Sequence, residues 1–446
     1  MSPQPIFANH KVVRNFVLIT LCSQFAYSVL AMKGVLLPQM LELWNVSKTE
    51  FGLLMSLYGF VHIIFYVALS WAQDRFSPRM LIPLAMIAGG ATTFFLGKTS
   101  DFYTLCVLFL LLAVLCDGAF WPAVLSSVRR STTDENQGKA FGLLEGGRGI
   151  IELLQNSMTL GLYAWLGYSV FGLEVAFMIN GVIMIILGVV CWLVLPRDNL
   201  LKSASDSDQK LREVAEGMKL TLRMPEIWMA GLSGFFIYFA YTSLPFYITY
   251  LTELYTLPVL AISIFGIAST SVGRIGSAFP AGFIANRFFG GSTGAMRAGL
   301  LLVSVFGLAM ALLPPVQSLV WVAMIGIFPL IFVIFFMRAL YFAPFGEMGL
   351  PPRFSGAVIA CAAFVVYLPS AFAYLVWGFL LDSFPGEQGY RLMFFGLALL
   401  GLAGAISATI LHRRTDEGLR ERIATRVAEL DKKLGLEGEE KSFAEG

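Results

Sequence analysis

The chain has 446 residues, of which 57% are hydrophobic and only 13% charged. Soluble globular domains carry about 25% charged residues, so this composition describes a chain solvated mainly by lipid. A formal net charge of +2 excludes nucleic-acid binding driven by bulk electrostatics.

A helix needs roughly 20 apolar residues to cross a bilayer core, and twelve stretches meet that need. The first six lie near residues 15–40, 50–71, 80–97, 103–127, 139–165 and 170–195. The second six lie near 226–252, 258–285, 295–313, 318–343, 353–380 and 389–412. The first stretch is too long for a signal-peptide core and no small-residue cleavage site follows it, so it is expected to stay as a spanning helix. Cys22, Cys106, Cys116, Cys191 and Cys361 all fall in apolar runs without a CxxC pair, which favours buried spacers over metal or disulfide chemistry.

Loop charge orients these spans. With a cytoplasmic N-terminus, the short inner loops hold Arg75, Arg79, Arg129, Arg130, Lys139, Arg287, Arg297 and Arg353, and the outer loops only Lys48, Lys98 and Arg391. That is the distribution the positive-inside rule requires, and it puts both termini in the cytoplasm. Residues 196–225 form the one long inner loop, between a six-helix half at 1–195 and another at 226–412. Within it, 211–222 has the spacing of an amphipathic surface helix, as does the charged cytoplasmic tail 413–446.

The two halves repeat one another. Phe25-Ala26-Tyr27-Ser28 returns as Phe239-Ala240-Tyr241-Thr242, Glu42-Leu43-Trp44 as Glu253-Leu254-Tyr255, and Asp74-Arg75 as Asn286-Arg287, at offsets of 214, 211 and 212. Parallel six-helix halves are the organisation of the major facilitator superfamily. Its loop signature, Gly-x-x-x-Asp-Arg-x-x-Gly-Arg, resembles the run from Ser70 through Asp74 and Arg75 to Arg79, and a second copy from Gly282 through Asn286 and Arg287 to Gly290. Ser70 replaces the glycine in one copy and Asn286 the acid in the other. The chain further resembles the YihN-like group of bacterial inner-membrane transporters within that superfamily. The residues carrying this are Cys116-Asp117 with Trp121-Pro122, Glu145-Gly-Gly-Arg148-Gly149, and the segment Arg338 to Glu347. The resemblance implies an all-α, twelve-helix fold in two pseudo-symmetric halves, and a bacterial inner-membrane location. It also implies that spans 1, 4, 7 and 10 line a central cavity, with 2, 5, 8 and 11 beside them.

A charge at the bilayer centre costs about 2.5–3.5 kcal/mol, so deep charges need a function or a partner. They are Lys33 on the first span, Asp117 on the fourth, Glu145, Arg148 and Glu152 on the fifth, Arg274 on the eighth and Arg338 on the tenth. Glu145, Arg148 and Glu152 share one helical face, which Asn156 and Thr159 extend. Arg148 has Asp117, Glu145 and Glu152 as possible acidic partners. The cluster serves either as a structural ion-pair network or as a proton-coupling group beside bound solute. Lys33 either snorkels to the outer surface or faces the cavity. Arg274 has no acid in its own helix, and an unpaired deep arginine suits a carboxylate or phosphate ligand. Arg338 and Glu347, with Asp74 and Arg75, are expected to form an inner gate. The seventh span has no charge at depth but offers Tyr241 and Tyr247 as hydrogen-bonding substrate contacts, with Pro245 as a kink. Tyr367 and Pro369 give similar, weaker signals on the eleventh, and Trp121 and Pro122 shape either a cavity wall or a bend. His62 is a possible proton carrier, though a lone histidine more often packs.

These residues point to a secondary active transporter of a small polar, anionic solute, coupled to protons or to anion exchange. The alternatives are an exporter of amphipathic or cationic compounds, whose ligands would be the acidic residues, and a membrane sensor that binds without transport. No GxxxxGK[ST] or HExxH occurs, so neither ATP use nor enzyme chemistry is expected. No cofactor, no metal, no nucleic acid and no obligatory protein partner is expected; the partners are the solute and the lipid bilayer.

Overall fold

The computed structural model describes residues 7, 9–68, 77–132, 137–196, 224–348, 362–415 and 425. Ten helices among them are long and apolar enough to cross a membrane: α1 (His10–Trp44), α3 (Pro78–Leu96), α4 (Phe102–Val128), α6 (Val170–Val194), α7 (Pro225–Leu254), α8 (Val259–Ala278), α9 (Ser292–Leu312), α10 (Gln317–Phe345), α11 (Ala362–Ser383) and α12 (Glu387–Arg414). Two more long helices, α2 (Lys48–Ala68) and α5 (Gln137–Trp165), fall between them in chain order. Asp74, Arg75, Arg353, residues 211–222 and the tail beyond Thr415 (Thr425 apart) lie outside the described residues.

Local chemistry sets the helix boundaries. Asn9, Asp101 and Ser169 cap α1, α4 and α6 by accepting a backbone N–H with their side chains, which satisfies a donor the first turn leaves open. Asn45 closes α1 in the left-handed conformation (φ 51°), one of the few non-glycine residues suited to it. Several cavity helices are interrupted. α1 breaks at Ala26–Tyr27, and α7 breaks at Ser243–Leu244, before Pro245. π-Helical turns replace α-helix at Val114–Phe120 in α4 and at Ala268–Val272 in α8. Such turns are rare and concentrate at functional sites.

Successive helices reverse direction, so His10 and Arg414 share one face of the bundle, the terminal face. The loops after α1, α3, α5, α7, α9 and α11 lie on the opposite, distal face. Helix α3 packs on α6, and α9 on α12, as the outer walls of the two halves. The halves meet most extensively where α2 lies along α11. The approach is close enough that a Cβ at Gly59 would meet the Ser370 carbonyl, and one at Gly378 the Lys48 carbonyl. At the distal end of this seam Lys48 pairs with Glu253 at 2.7 Å, and the Thr49 hydroxyl and backbone N–H donate to Asp382 at 2.6 and 2.7 Å. Phe51 stacks edge-on against Phe246 just below. These contacts join the halves on the distal side.

Candidate functional site

Between the halves lies a cavity of about 590 Å³, lined from α1, α2, α4 and α5 on one side and α7, α8, α10 and α11 on the other. It reaches toward the terminal face past Gly142, Ala278 and Ala339. Lys33, Asp117, Glu145, Arg148, Glu152, Tyr241, Arg274 and Arg338 all line it.

The GLLEGGRGIIELLQN stretch explains its own charges in this setting. Gly146 leaves room for Phe279 just after α8, Gly149 for Ile275 of α8, and Gly147 for Thr20 of α1. Small residues bring the α5 backbone close to both neighbours, and the acidic face between them meets Arg274. The Arg274 guanidinium reaches across the halves to Glu152 at 2.6 Å and Glu145 at 2.9 Å. Glu145 also accepts from Arg148 at 2.7 Å. The Arg148 guanidinium lies over the Trp121 ring at 4.6 Å and the Tyr27 ring at 5.4 Å, so Trp121 forms part of the cavity wall. Two arginines and two glutamates thus make one chain of charge-assisted hydrogen bonds. Arg274 is therefore not the unpaired arginine expected from its own helix, because its acids come from α5. Thr159 leaves the charged face and joins Asn180 and Gln155 in a buried amide cluster between α5 and α6.

Asp117 does not pair with Arg148. It sits in the π-helical turn of α4, where His62 Nδ1 approaches it at 3.0 Å and the Tyr27 hydroxyl donates to it at 2.7 Å. His62 is a cavity residue facing a carboxylate, not an isolated packing residue.

Lys33 and Arg338 behave differently from these paired groups. Lys33 Nζ donates to the Tyr374 hydroxyl at 2.9 Å, and Arg338 lies 4.0 Å from the centroid of the Tyr241 ring. Among the described residues neither has a carboxylate within ion-pair distance, and they stand near enough to repel one another. Around them is a cluster of tyrosines: Tyr238 packs on Tyr241 and Tyr367, and the Tyr341 and Tyr367 hydroxyls lie 3.1 Å apart.

Two predicted residues sit elsewhere. Tyr247 is fully buried in the core, hydrogen-bonded to Ser243 at 2.8 Å and stacked on Phe394. Pro245 resets the helix after Leu244 and turns that ring away from the cavity. Glu347 accepts from the backbone N–H of Ser292 at 3.0 Å, at the start of α9, where it complements the helix dipole. Sequence reasoning missed Tyr374, Tyr58 and Gln24 in the lining. Tyr374 falls seven residues after Tyr367, a spacing that puts both on one helical face and was available as a signal.

A family model described as Major Facilitator Superfamily matches residues 16–349. The chain belongs to the major facilitator superfamily. Among curated relatives of this superfamily member, it is 26% identical over 410 residues to inner membrane protein YihN of Escherichia coli (strain K12), covering 92% of this chain and 97% of that one. It is 27% identical over 374 residues to inner membrane protein YqcE of the same organism, covering 81% and 86%. Among solved structures, it shares its fold with a bacterial homologue of the human lysosomal transporter Spinster in an inward-facing, unoccupied conformation. There the TM-score is 0.71 at 15% identity, covering 91% of this chain and 98% of that one. The nucleoside transporter NupG matches with a TM-score of 0.69 at 13% identity, covering 91% and 99%.

Proposed function

We propose that this superfamily member is a secondary active transporter of the bacterial inner membrane, moving a small polar, anionic organic solute by alternating access. The observation that carries the anionic assignment is the pair Lys33 and Arg338. Three carboxylates and four basic side chains line the cavity. Glu145 and Glu152 are taken up by Arg148 and Arg274, and Asp117 faces His62. The positive charge left over belongs to Lys33, from one half, and Arg338, from the other. Two like charges held together in a low-dielectric cavity repel, and a bound oxyanion relieves that repulsion while bridging the halves. The tyrosines offer hydroxyl donors and ring faces to the rest of the solute.

The transport assignment is supported by the family, by the location of its relatives in the inner membrane of Escherichia coli, and by the transporter fold. The cavity reaches the terminal face while the halves meet on the distal side. With the terminal face cytoplasmic, as the loop charges require, this is an inward-facing arrangement. Coupling by protons or by anion exchange accounts for the energy, and binding and release rather than catalysis are the chemistry.

Thermal stability of the purified protein, measured against a panel of anionic, neutral and cationic metabolites, tests the reading. A ligand at 100 times its dissociation constant adds about 2.7 kcal/mol to stability. Anions are expected to stabilise the protein, and the folded variants Lys33→Ala and Arg338→Gln to lose the response. Stabilisation by cations or amphipathic compounds alone would transfer the cavity to an exporter of such compounds.

A further inference from the structure

We propose that His62 and Asp117 form a proton-binding pair whose protonation strengthens the α2–α11 seam through Tyr367, so that proton loading and closure of the distal side are one event. The inference deepens the transporter reading by assigning its coupling ion, but the experiment below needs no solute, so either can fail alone.

The cavity carboxylates differ in what they face. Glu145 and Glu152 face guanidinium groups, which stay charged throughout the physiological range. Protonating either glutamate sacrifices a charge pair whose partner cannot release a proton in exchange. Asp117 faces an imidazole, a type of side chain that can gain or lose a proton near neutral pH. Proton uptake on the imidazole turns a buried anion beside a neutral ring into a closed ion pair, without breaking the 3.0 Å contact. Access suits the same direction. The His62 side chain is 16% exposed to the cavity and that of Asp117 5%, so the proton arrives at and leaves from the imidazole. The carboxylate is held meanwhile by the Tyr27 hydroxyl.

The connection to the other half is a ring contact. His62 on α2 meets the ring of Tyr367 on α11 edge-to-face, with centroids 5.1 Å apart. A charged imidazolium gains attraction to an aromatic ring that a neutral imidazole lacks. Three residues from each side of this contact, Gly59 and Ser370 form one of the tight approaches of the α2–α11 seam. Tyr367 then passes the contact on: Tyr238 packs on it edge-on at 5.1 Å, and Arg338 sits 5.9 Å over the Tyr238 ring. The proton pair is thereby linked to the proposed solute cations by two rings in contact.

The other groups facing the pair are Tyr27 of α1, Tyr58 of α2, Cys116 of α4, Arg148 of α5 and Tyr238 of α7. The tyrosines and the cysteine stay neutral and Arg148 stays charged through the physiological range. None supplies a competing protonation step between about pH 5 and 8.

The test uses the full chain in lipid nanodiscs, spin-labelled at Ser100→Cys in the loop after α3 and Gln388→Cys in the first turn of α12, exposed positions at the distal ends of opposite halves. Cys106 and Cys361 are replaced by alanine; Cys22, Cys116 and Cys191 are buried. The distance distribution is followed by pulsed electron resonance from pH 5 to 9. The short-distance population is expected to fall as pH rises through a single midpoint, to shift that midpoint in Asp117→Asn, and to stop responding in His62→Gln. In Tyr367→Leu, the ¹⁵N-histidine resonance of His62 is expected still to titrate while the distances stay fixed, which separates proton binding from its transmission. A wild-type distribution that ignores pH, a His62 resonance that does not titrate, or an unchanged response in His62→Gln would overturn the proposal; the first two need no variant to fold.

Discussion

Among the described residues Arg274 is the one guanidinium that touches Glu152, and replacing it with glutamine removes that contact. The Glu152 side chain is 9% exposed and that of Arg274 19%, so the variant leaves a nearly buried carboxylate without a cation. Breaking a buried ion pair from one side costs about 3–5 kcal/mol. The partial exposure of Arg274 to the cavity places the expected loss at the lower end, about 3 kcal/mol. Little of it comes from Glu145, whose side chain is 47% exposed and which keeps Arg148 at 2.7 Å; exposed pairs contribute about 0–1 kcal/mol. Glu152→Gln alone is expected to cost about 1–2 kcal/mol, because Arg274 retains Glu145 and the amide oxygen still accepts a hydrogen bond. The double variant Glu152→Gln, Arg274→Gln removes the stranded charge altogether. It is therefore expected to be more stable than Arg274→Gln by about 1–2 kcal/mol, so that the two changes couple by about 3 kcal/mol, the upper end of what residues in direct contact show. Unfolding of the purified proteins in mixed micelles, followed by tryptophan fluorescence, reads these differences. Additive losses in the double variant, or an Arg274→Gln protein as stable as wild type, would refute a cross-half pair between α5 and α8.

Three further outcomes follow from the geometry. Glu253→Gln removes the partner of Lys48 on the distal side, a half-exposed contact expected to contribute about 0.5–1 kcal/mol, so the distal-closed population should fall about two- to five-fold in the Ser100–Gln388 distance assay. Gly59→Val forces a side chain against the Ser370 carbonyl and is expected to hold α2 away from α11, lowering the melting temperature and depleting the short-distance population; unchanged values would mean the seam yields freely. Tyr247→Phe loses its hydrogen bond with Ser243 and is expected to cost about 1 kcal/mol of stability, while the thermal response to the stabilising anion stays as in wild type.

The span pattern was legible because lipid solvation demands long apolar helices, and each described span boundary falls within about five residues of its hydropathic estimate except the end of α8; the expected start of the eleventh span lies outside the described residues. Pro280 divides the eighth predicted span into α8 and a short helix over Ala281–Phe289. The charged residues were legible as a set, because insertion cost makes any deep charge conspicuous. Their partners were not. Arg274 finds its acids 122 and 129 residues away, and only the glycines of α5 allow that approach. Asp117 and His62 meet because a π-helical turn re-aims the α4 side chains, a change of helical phase with no mark in the residue spacing. Tyr247 and Tyr241 look alike in sequence, yet the break before Pro245 sends one into the core and leaves the other under Arg338.

The most direct measurement is uptake into proteoliposomes of whichever anion stabilises the purified protein, with and without an imposed proton gradient. Accumulation that fails in Lys33→Ala and Arg338→Gln, while both variants remain folded, is the expected result. Tight binding of that anion with no flux under any gradient would contradict it and make the protein a sensor with a transporter fold.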